Sequence, residues 1–528
     1  MPNVKAEMIA MRDSAVQAAS PAHSSIKFEQ SVYKNDGAYD RGATVGYVAS
    51  RAGEQLYPKA TEVVNEFSGH LETLVPRVQL EADKSSLLPD SALWVDVLQR
   101  WYDMIEDVDG EGELMRVAIH HNSVGGMAVR KVVCNEGVVT APAISPLAFS
   151  VDPDCDRINL SNAEYVVHTT HRSTRYVKRH YPMFIPKKEQ KQNRIDEIWV
   201  RRRRAKEIGI DVDASHREMF RGVLINDGQV ALVQSSPWIW PDFPFACWRN
   251  FLDYGDDGKS AGFWGFGFPK LLWPQQKMLD HLLANLVVIV NNQAVGRFMA
   301  PEGALKTDQV LPIHNLIIEY DKEITNIAEI LHLPPDQIPP ALFQFVQYVV
   351  DVMEVLSGAT KVFTGDQPNG NLSGRAIAAL QTAAARQAIS IVRGMNEFRG
   401  QIGRIKATII QQTAERPISP TRWRGGIDLP DKFPKEARHV GFAVKVADSS
   451  ALPQTPAGRA EIARLLAELG HPLTLQALLE HIGLDRGYGM TEDKFQTMPT
   501  GSGGQSNEAA LMGAETEPGI SQGGQEAQ

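Results

Sequence analysis

The stretch ALFQFVQYVVDVMEVLSG, residues 341–358, constrains the fold more than any other part of the chain. It has a helical pattern, and its amides and carboxylates are Gln344, Gln347, Asp351 and Glu354. These fall at spacings of 3, 4 and 3, so on a helix they form one narrow polar stripe. The rest of the circumference is apolar. A helix of this kind needs protein on most sides and water along one strip. Two architectures meet that demand. The helix lies in the core of a large domain, or it packs between copies of itself in a ring with the stripe facing a lumen. This helix alone leaves both open.

The 528 residues are too many for one ordinary core and predict two to four domains or sub-domains. The hydrophobic fraction of 43% and charged fraction of 22% are those of a soluble globular protein. No run reaches the ~18 apolar residues needed to span a bilayer, and the best candidate, Leu282 to Val290, contains Asn285. No membrane association is expected. The start, MPNVKAEMIAMRD, lacks the apolar core of a signal peptide. Cys134, Cys155 and Cys247 are scattered, which suits a reducing cytoplasm and argues against a zinc ribbon. The net charge of −9 argues against tight DNA binding by phosphate neutralisation. It is compatible with a protein that surrounds DNA and lets it slide.

Residues 1–50 are mixed and weakly periodic. YPKATEVVNEFSGHLETL and SALWVDVLQRWYDMIEDV then read as helices, the second with Leu93, Val97, Trp101 and Ile105 on one face. From 115 to 250 the runs become strand-like: MRVAIHH, MAVRKVVCN, EYVVHTTHR, DEIWVRRRR and GVLINDGQVALVQ. In the last, Asn226-Asp227-Gly228 is a hairpin turn. These segments make an α+β body of roughly 250 residues. After Pro274 a helix carries Met278, Leu279, Leu282, Leu283, Leu286, Val287 and Val290. A short β-rich stretch follows and is closed by the breaker LPPDQIPP, which precedes the striped helix. Ser373 is a candidate N-cap for the longest helix, which Arg416-Pro417 ends. Its apolar positions run from Ile377 to Ile409, and Gly394, Gly400 and Gly403 weaken it by roughly 1 kcal/mol each relative to alanine. VGFAVKVAD reads as a strand. Two short helices follow, and from Thr497 the chain reads as a disordered acidic tail.

Candidate sites are few. TGDQPNGNLSGRAIAALQ fails as a phosphate-binding loop, because Asn371 and Leu372 follow Gly370 where lysine and Ser/Thr are required. Asp152, Asp154 and Asp156 alternate like the start of a calcium loop, but Arg157 replaces the required glycine and a turn with solvated carboxylates explains them better. His168 and His171 are three apart in a strand, hence on opposite faces. No catalytic set, metal site or cofactor is indicated. Arg201, Arg202, Arg203 and Arg204, with Lys187, Lys188 and Lys191 before them, form the one basic cluster. It is either a solvated strand end or a surface for phosphate or an acidic partner.

The order of these parts resembles a portal protein (head-to-tail connector) of tailed bacteriophages. FSVDPDCDRINLSNAEYVVHTTHRSTRYVKRHYP (149–182) resembles the wing segment, and GFGFPKLLWPQQKMLDHLLANL (265–286) the entry to the first stem helix. GNLSGRAIAALQ (370–381) resembles the tunnel loop leading into the long wing helix, and residues 452–484 the C-terminal helices. Most of residues 90–490 are covered. The resemblance implies an α+β portal-type fold: a wing over 1–264 with a flexible N-terminal part, a first stem helix over 265–297, and a β-rich clip over 298–333. A second stem helix follows over 334–363, a tunnel loop over 364–374, and the long wing helix and strand over 375–450. Crown helices take 451–496 and the acidic tail 497–528.

It also implies a structural protein rather than an enzyme. The expected assembly is a homo-oligomeric ring, typically of twelve copies, at one vertex of the capsid in the virion, assembled in the host cytoplasm. Double-stranded DNA would pass through its channel in packaging and ejection. The terminase large subunit, head–tail adaptors, the major capsid protein and a scaffolding protein are the implied partners. Gly365, Asp366, Gln367, Asn369, Gly370 and Asn371 would then touch the moving duplex, and Gln344, Gln347, Asp351 and Glu354 would line the channel. Another head–tail connector or capsid assembly protein is the alternative. A metal-dependent nucleic-acid enzyme built on Asp152, Asp154 and Asp156 comes after it.

Overall fold

The computed structural model describes residues 4–34, 57–83, 91–135, 138–182, 191–210, 217–226, 229–236, 241–253, 262–294, 296–301, 315–320, 331–333, 339–357, 374–413 and 440–446. The chain divides into two compact units, Met1–Gln454 and Thr455–Gln528, and every described residue lies in the first. The predicted tunnel loop over 364–374 is outside the described residues but for its last one, Gly374; the crown over 451–496 and the acidic tail over 497–528 are entirely outside them.

Helices and sheet are mixed. The helices are α1 (Val4–Lys34), α2 (Lys59–Thr73), α3 (Ser91–Asp109), α4 (Glu111–Gly125), α5 (Thr174–His180), α6 (Arg202–Glu207), α7 (Phe268–Ala294), α8 (Pro340–Ser357) and α9 (Gly374–Thr413). Among the described residues none is long and apolar enough to cross a membrane.

Three strand groups frame the body and the insertion between α7 and α8. Strands β1 (Phe149–Val151), β2 (Tyr165–Ser173), β3 (Gln192–Arg201), β4 (Met219–Ile225) and β5 (Gln229–Ser235) form an antiparallel sheet in sequence order. The expected hairpin at Asn226 joins β4 to β5, and Asn226 takes the positive φ of 48° that such a turn requires. Met8, Met11 and Ala15 of α1 pack on one face of this sheet against Val167, Ile198 and Leu224. Its other face meets Phe245 and Cys247 through Phe149, Val166 and Trp199. A second, smaller sheet lies between α7 and α8 in sequence. There Gly296–Pro301 pairs parallel with Asn315–Tyr320 and antiparallel with Leu331–Leu333. It is the expected β-rich insertion. Finally, Val78–Ala82 pairs antiparallel with Phe442–Val446.

Three sequence expectations need correction. Residues 1–50 looked weakly periodic and flexible, yet Val4–Lys34 is one helix whose buried side chains include Met8, Met11, Ala15, Ala19, Ile26 and Val32. MRVAIHH looked strand-like but lies inside α4. Its buried residues Met115, Ala118, Ile119 and Asn122 sit at i, i+3, i+4 and i+7, a helical face that a seven-residue window does not display. In α3, Trp101 and Ile105 are buried while Leu93 is 58% exposed. A four-residue repeat overshoots the ~3.6-residue turn, so the stripe rotates away from the core at its start.

α9 is the long helix, 40 residues and about 60 Å. Its buried Ile391, Met395, Phe398, Ile402, Ile405 and Ile409 belong to the largest core, with Phe67, Tyr102, Phe268 and Leu279. Its glycines have a packing reason. A Cβ on Gly394 would stand 2.8 Å from the Trp248 Nε1, and one on Gly403 2.7 Å from a Val78 methyl. The helix gives up intrinsic stability to come this close to its neighbours.

Candidate functional site

α7 and α8 pack against each other and both touch α2. The entry to α7 is tightly specified. Gly267 precedes it, and a Cβ there would meet the Val124 carbonyl oxygen at 2.3 Å. The Gly267 N–H donates to Glu29 of α1 at 2.6 Å, and the Ser25 hydroxyl donates to the same carboxylate at 3.1 Å. Glu29 is fully buried. Burial pushes its carboxyl up to about 7 against the opposing pull of these hydrogen bonds and of Lys270. Just beyond Pro274, the buried Gln276 ties α7 to the start of α2. Its oxygen accepts from the Ala60 N–H at 3.0 Å, which caps α2. Its amide donates to the Tyr57 carbonyl at 2.8 Å and to Asp280 at 3.0 Å.

α8 has three faces. Val349, Met353 and Ser357 are buried, with Val346 and Val350 packed beside them. Gln344, Gln347 and Asp351 of the expected stripe are exposed, and Gln347 donates to Asp351 at 2.9 Å. Glu354 sits at the stripe's edge and turns to the body, where it pairs with the buried Lys59 at 3.0 Å. The third face is apolar and open. Tyr348 is 61% exposed and Val355 59%, with Phe345 and Leu356 beside them, and Phe343 stands out on another side of the helix. The Phe345 and Tyr348 rings stack with centroids 6.2 Å apart.

α9, which follows the predicted tunnel loop, is clamped to the body by buried charge. Arg399 donates to Glu106 at 3.0 Å and Glu111 at 2.5 Å. Lys406 donates to Glu111 at 2.9 Å and Asp109 at 3.1 Å. Arg130 forks onto both Glu111 oxygens, one bond being 2.9 Å. Three cations thus face three carboxylates, a balanced set. Burial alone would raise the Glu111 carboxyl, but the Arg130 hydrogen bond and the charges of Lys406, Arg399 and Arg130 outweigh it and bring it down to about 2. Sequence reading missed this cluster. Its signal was the placing of Arg399 and Lys406 seven apart on the apolar stripe of Ile402 and Ile409.

The other predicted residues are not brought together. Gly365, Asp366, Gln367, Asn369, Gly370 and Asn371 lie outside the described residues. The arginine run is not one patch. Arg201 ends β3 and binds inward, to the Ala163 carbonyl at 2.8 Å, the Leu160 carbonyl at 3.0 Å and Asp242 at 3.0 Å. Arg202 donates to the Arg217 carbonyl, and Arg204 pairs with Glu207 and Glu7. Arg203 is the most exposed of the four, at 84% of its side chain, and meets Glu207 at 3.6 Å. Asp152 accepts from the Asp154 and Glu164 N–H groups, and Asp156 from the Asn162 amide, so two of these carboxylates serve the turn itself. His168 is buried beside Glu197 and His171 is exposed, as their spacing on a strand requires.

The chain matches the model of the phage P22-like portal protein family over residues 96–418. No curated protein matches it. Among solved structures it is similar to a chain of the virion of a native gene transfer agent particle, at 12% identity and a TM-score of 0.38, covering 86% of this chain and 99% of that one. The matched span contains α4, the five-stranded sheet, α7, the inserted sheet, α8 and all of α9, so the chain belongs to the phage P22-like portal protein family.

Proposed function

We propose that this chain is the subunit of a closed homo-oligomeric ring, of twelve copies by the family resemblance, at one capsid vertex of a virion, and that DNA enters and leaves the capsid through its channel. One observation carries the ring: the open apolar face of α8, with Phe345, Tyr348, Val355 and Leu356 turned to solvent in the single chain. Large contiguous apolar surface on a folded chain marks a place where protein docks. In a ring, α8 of the next copy covers this face, and the adjoining stripe of Gln344, Gln347 and Asp351 turns to the lumen. α7 and α8 are then the stem, the three-stranded sheet between them the clip, and residues 1–264 with α9 and the Phe442–Val446 strand the wing. The loop over 364–374 is the constriction, and residues 451–496 are the crown.

The mechanism is passive. Amides on the stripe and the small and amide residues Gly365, Gln367, Asn369, Gly370 and Asn371 contact a duplex without binding its phosphates, while Asp366 and Asp351 repel it. A duplex held by many cations would be trapped. A separate terminase ATPase supplies the energy for packaging, in keeping with the failed phosphate-binding loop, and the clip is its docking surface before tail adaptors replace it. The family is structural, in keeping with a protein that is not an enzyme.

The test is Tyr348→Asp with Val355→Asp. The expected variant keeps the circular dichroism of the parent, because both positions are open in the single chain, but it forms no rings in negative-stain images. Rings of parental size and yield would overturn the assignment of this face.

A further inference from the structure

Among the described residues, a group of unpaired cations lies not on the arginine run but on helix α5 and the strand ends beside it. Between Tyr165 and Ile195 the sequence holds eight Lys or Arg and one acid, Glu189, in a chain whose net charge is −9. α5 is anchored by Val177, which is fully buried against Ile195, Val223 and Ile225 of the sheet. On the opposite side of its turn, Arg175, Lys178 and Arg179 are all exposed. Tyr176 and His180 stack at 4.0 Å along the flank, and the Arg172 guanidinium lies 5.3 Å from the Tyr176 ring centroid. Among the described residues, Arg172, Arg175, Lys178, Arg179 and Lys191 make no ion pair with a carboxylate. Arg201 and Arg204, by contrast, are both paired.

Helix electrostatics explain part of this. Lys178, Arg179 and His180 fall in the last turn, where cations meet the negative end of the dipole. They do not explain Arg175, which sits in the first turn against the dipole, or Arg172, which precedes the helix. Repulsion among these cations is unrelieved in the isolated chain, so the arrangement gains only when an anion arrives.

We propose that α5 and the adjoining strand ends form a non-sequence-specific contact for the phosphate backbone of double-stranded DNA, on the sheet and apart from any channel. Arg172, Arg175, Lys178 and Arg179, with no acid between them in the sequence and the helix itself about 10 Å long, suit a repeating polyanion. A folded protein partner would call for apolar anchors, and the patch offers only Tyr176. The surface stands on its own charges and does not depend on the ring.

The experiment uses the full chain and a covalently closed circular duplex, which cannot thread a preformed channel. Binding is measured by filter retention from 50 to 200 mM salt. The parent is expected to bind with a steep salt dependence. Arg175→Gln with Lys178→Gln and Arg179→Gln is expected to weaken binding about tenfold or more and to flatten the log–log slope by ~2.7, at ~0.9 per phosphate contact. Arg203→Gln, on the exposed member of the arginine run, should leave binding unchanged. Circular dichroism of the triple variant checks its fold. Equal binding by the parent and a folded triple variant overturns the proposal. So does retention of polyglutamate but not of the circle, which would assign the patch to an acidic protein. Loss of rings with retained circle binding would count against the proposed function alone.

Discussion

Glu29 ties the N-terminal helix α1 to the entry of α7, and its burial gives that tie a pH dependence. The carboxyl is fully buried, and its value rises from 4.5 to about 7 in the folded chain. A raised value means that the folded state holds the proton longer than the unfolded one. The contribution is fully present below pH 4.5 and is lost as pH rises through 7. Each pH unit in that window removes ~1.4 kcal/mol, so the loss totals roughly 3 kcal/mol. Glu29→Gln keeps an oxygen to accept from the Gly267 N–H but cannot ionise. It is expected to gain roughly 2.5 kcal/mol on the parent between pH 5 and pH 8. With ~2.1 cal/mol/K of unfolding entropy per residue, that is about 2–3 °C in melting temperature. Calorimetry of both proteins at the two pH values reads this, and hydrogen exchange at the Gly267 amide reads it locally. Glu111 does not confuse the result, because its lowered value gives stability that is lost only as pH falls from 4.5 through about 2. The reasoning fails if parent and variant respond alike to the change from pH 5 to pH 8.

The packing sets three further outcomes. Lys406→Met leaves Glu111 and Asp109 short of a buried cation and should cost about 3–5 kcal/mol, seen as an early melt. Gly403→Ala pushes a methyl into Val78 and should cost about 1–3 kcal/mol despite the better helix propensity of alanine, read by the same melt. Gln276→Leu removes the cap from Ala60 and the bond to Tyr57, and should cost about 1–3 kcal/mol, with faster exchange at the Ala60 amide.

Much of the element order was legible. Alternation marked β2, β3 and the β4–β5 hairpin, and 3.6-residue periodicity marked α2, α3, α7, α8 and α9. The long-range partners were not. Nothing local to α1 announces that Glu29 meets Gly267, 238 residues away, or that Arg399 meets Glu111, 288 away. The arginine run stays open in the sequence for the same reason: composition locates charge, while Asp242, Glu207 and backbone carbonyls engage Arg201 and Arg204 in ways no local window displays. The striped helix reads as apolar nearly all round with one polar strip, and three of the four strip residues are exposed. That an apolar face is open beside the polar stripe became visible only once the elements packed beneath the helix were known.

The central claim is the ring, and the native mass tests it most directly. Twelve chains of 58.3 kDa give about 700 kDa. Light scattering of the purified protein, with scaffold present and with negative-stain images of the same fraction, should find a mass near that value and rings with a hole about the width of a duplex. A chain that stays a monomer or dimer under those conditions would contradict the account.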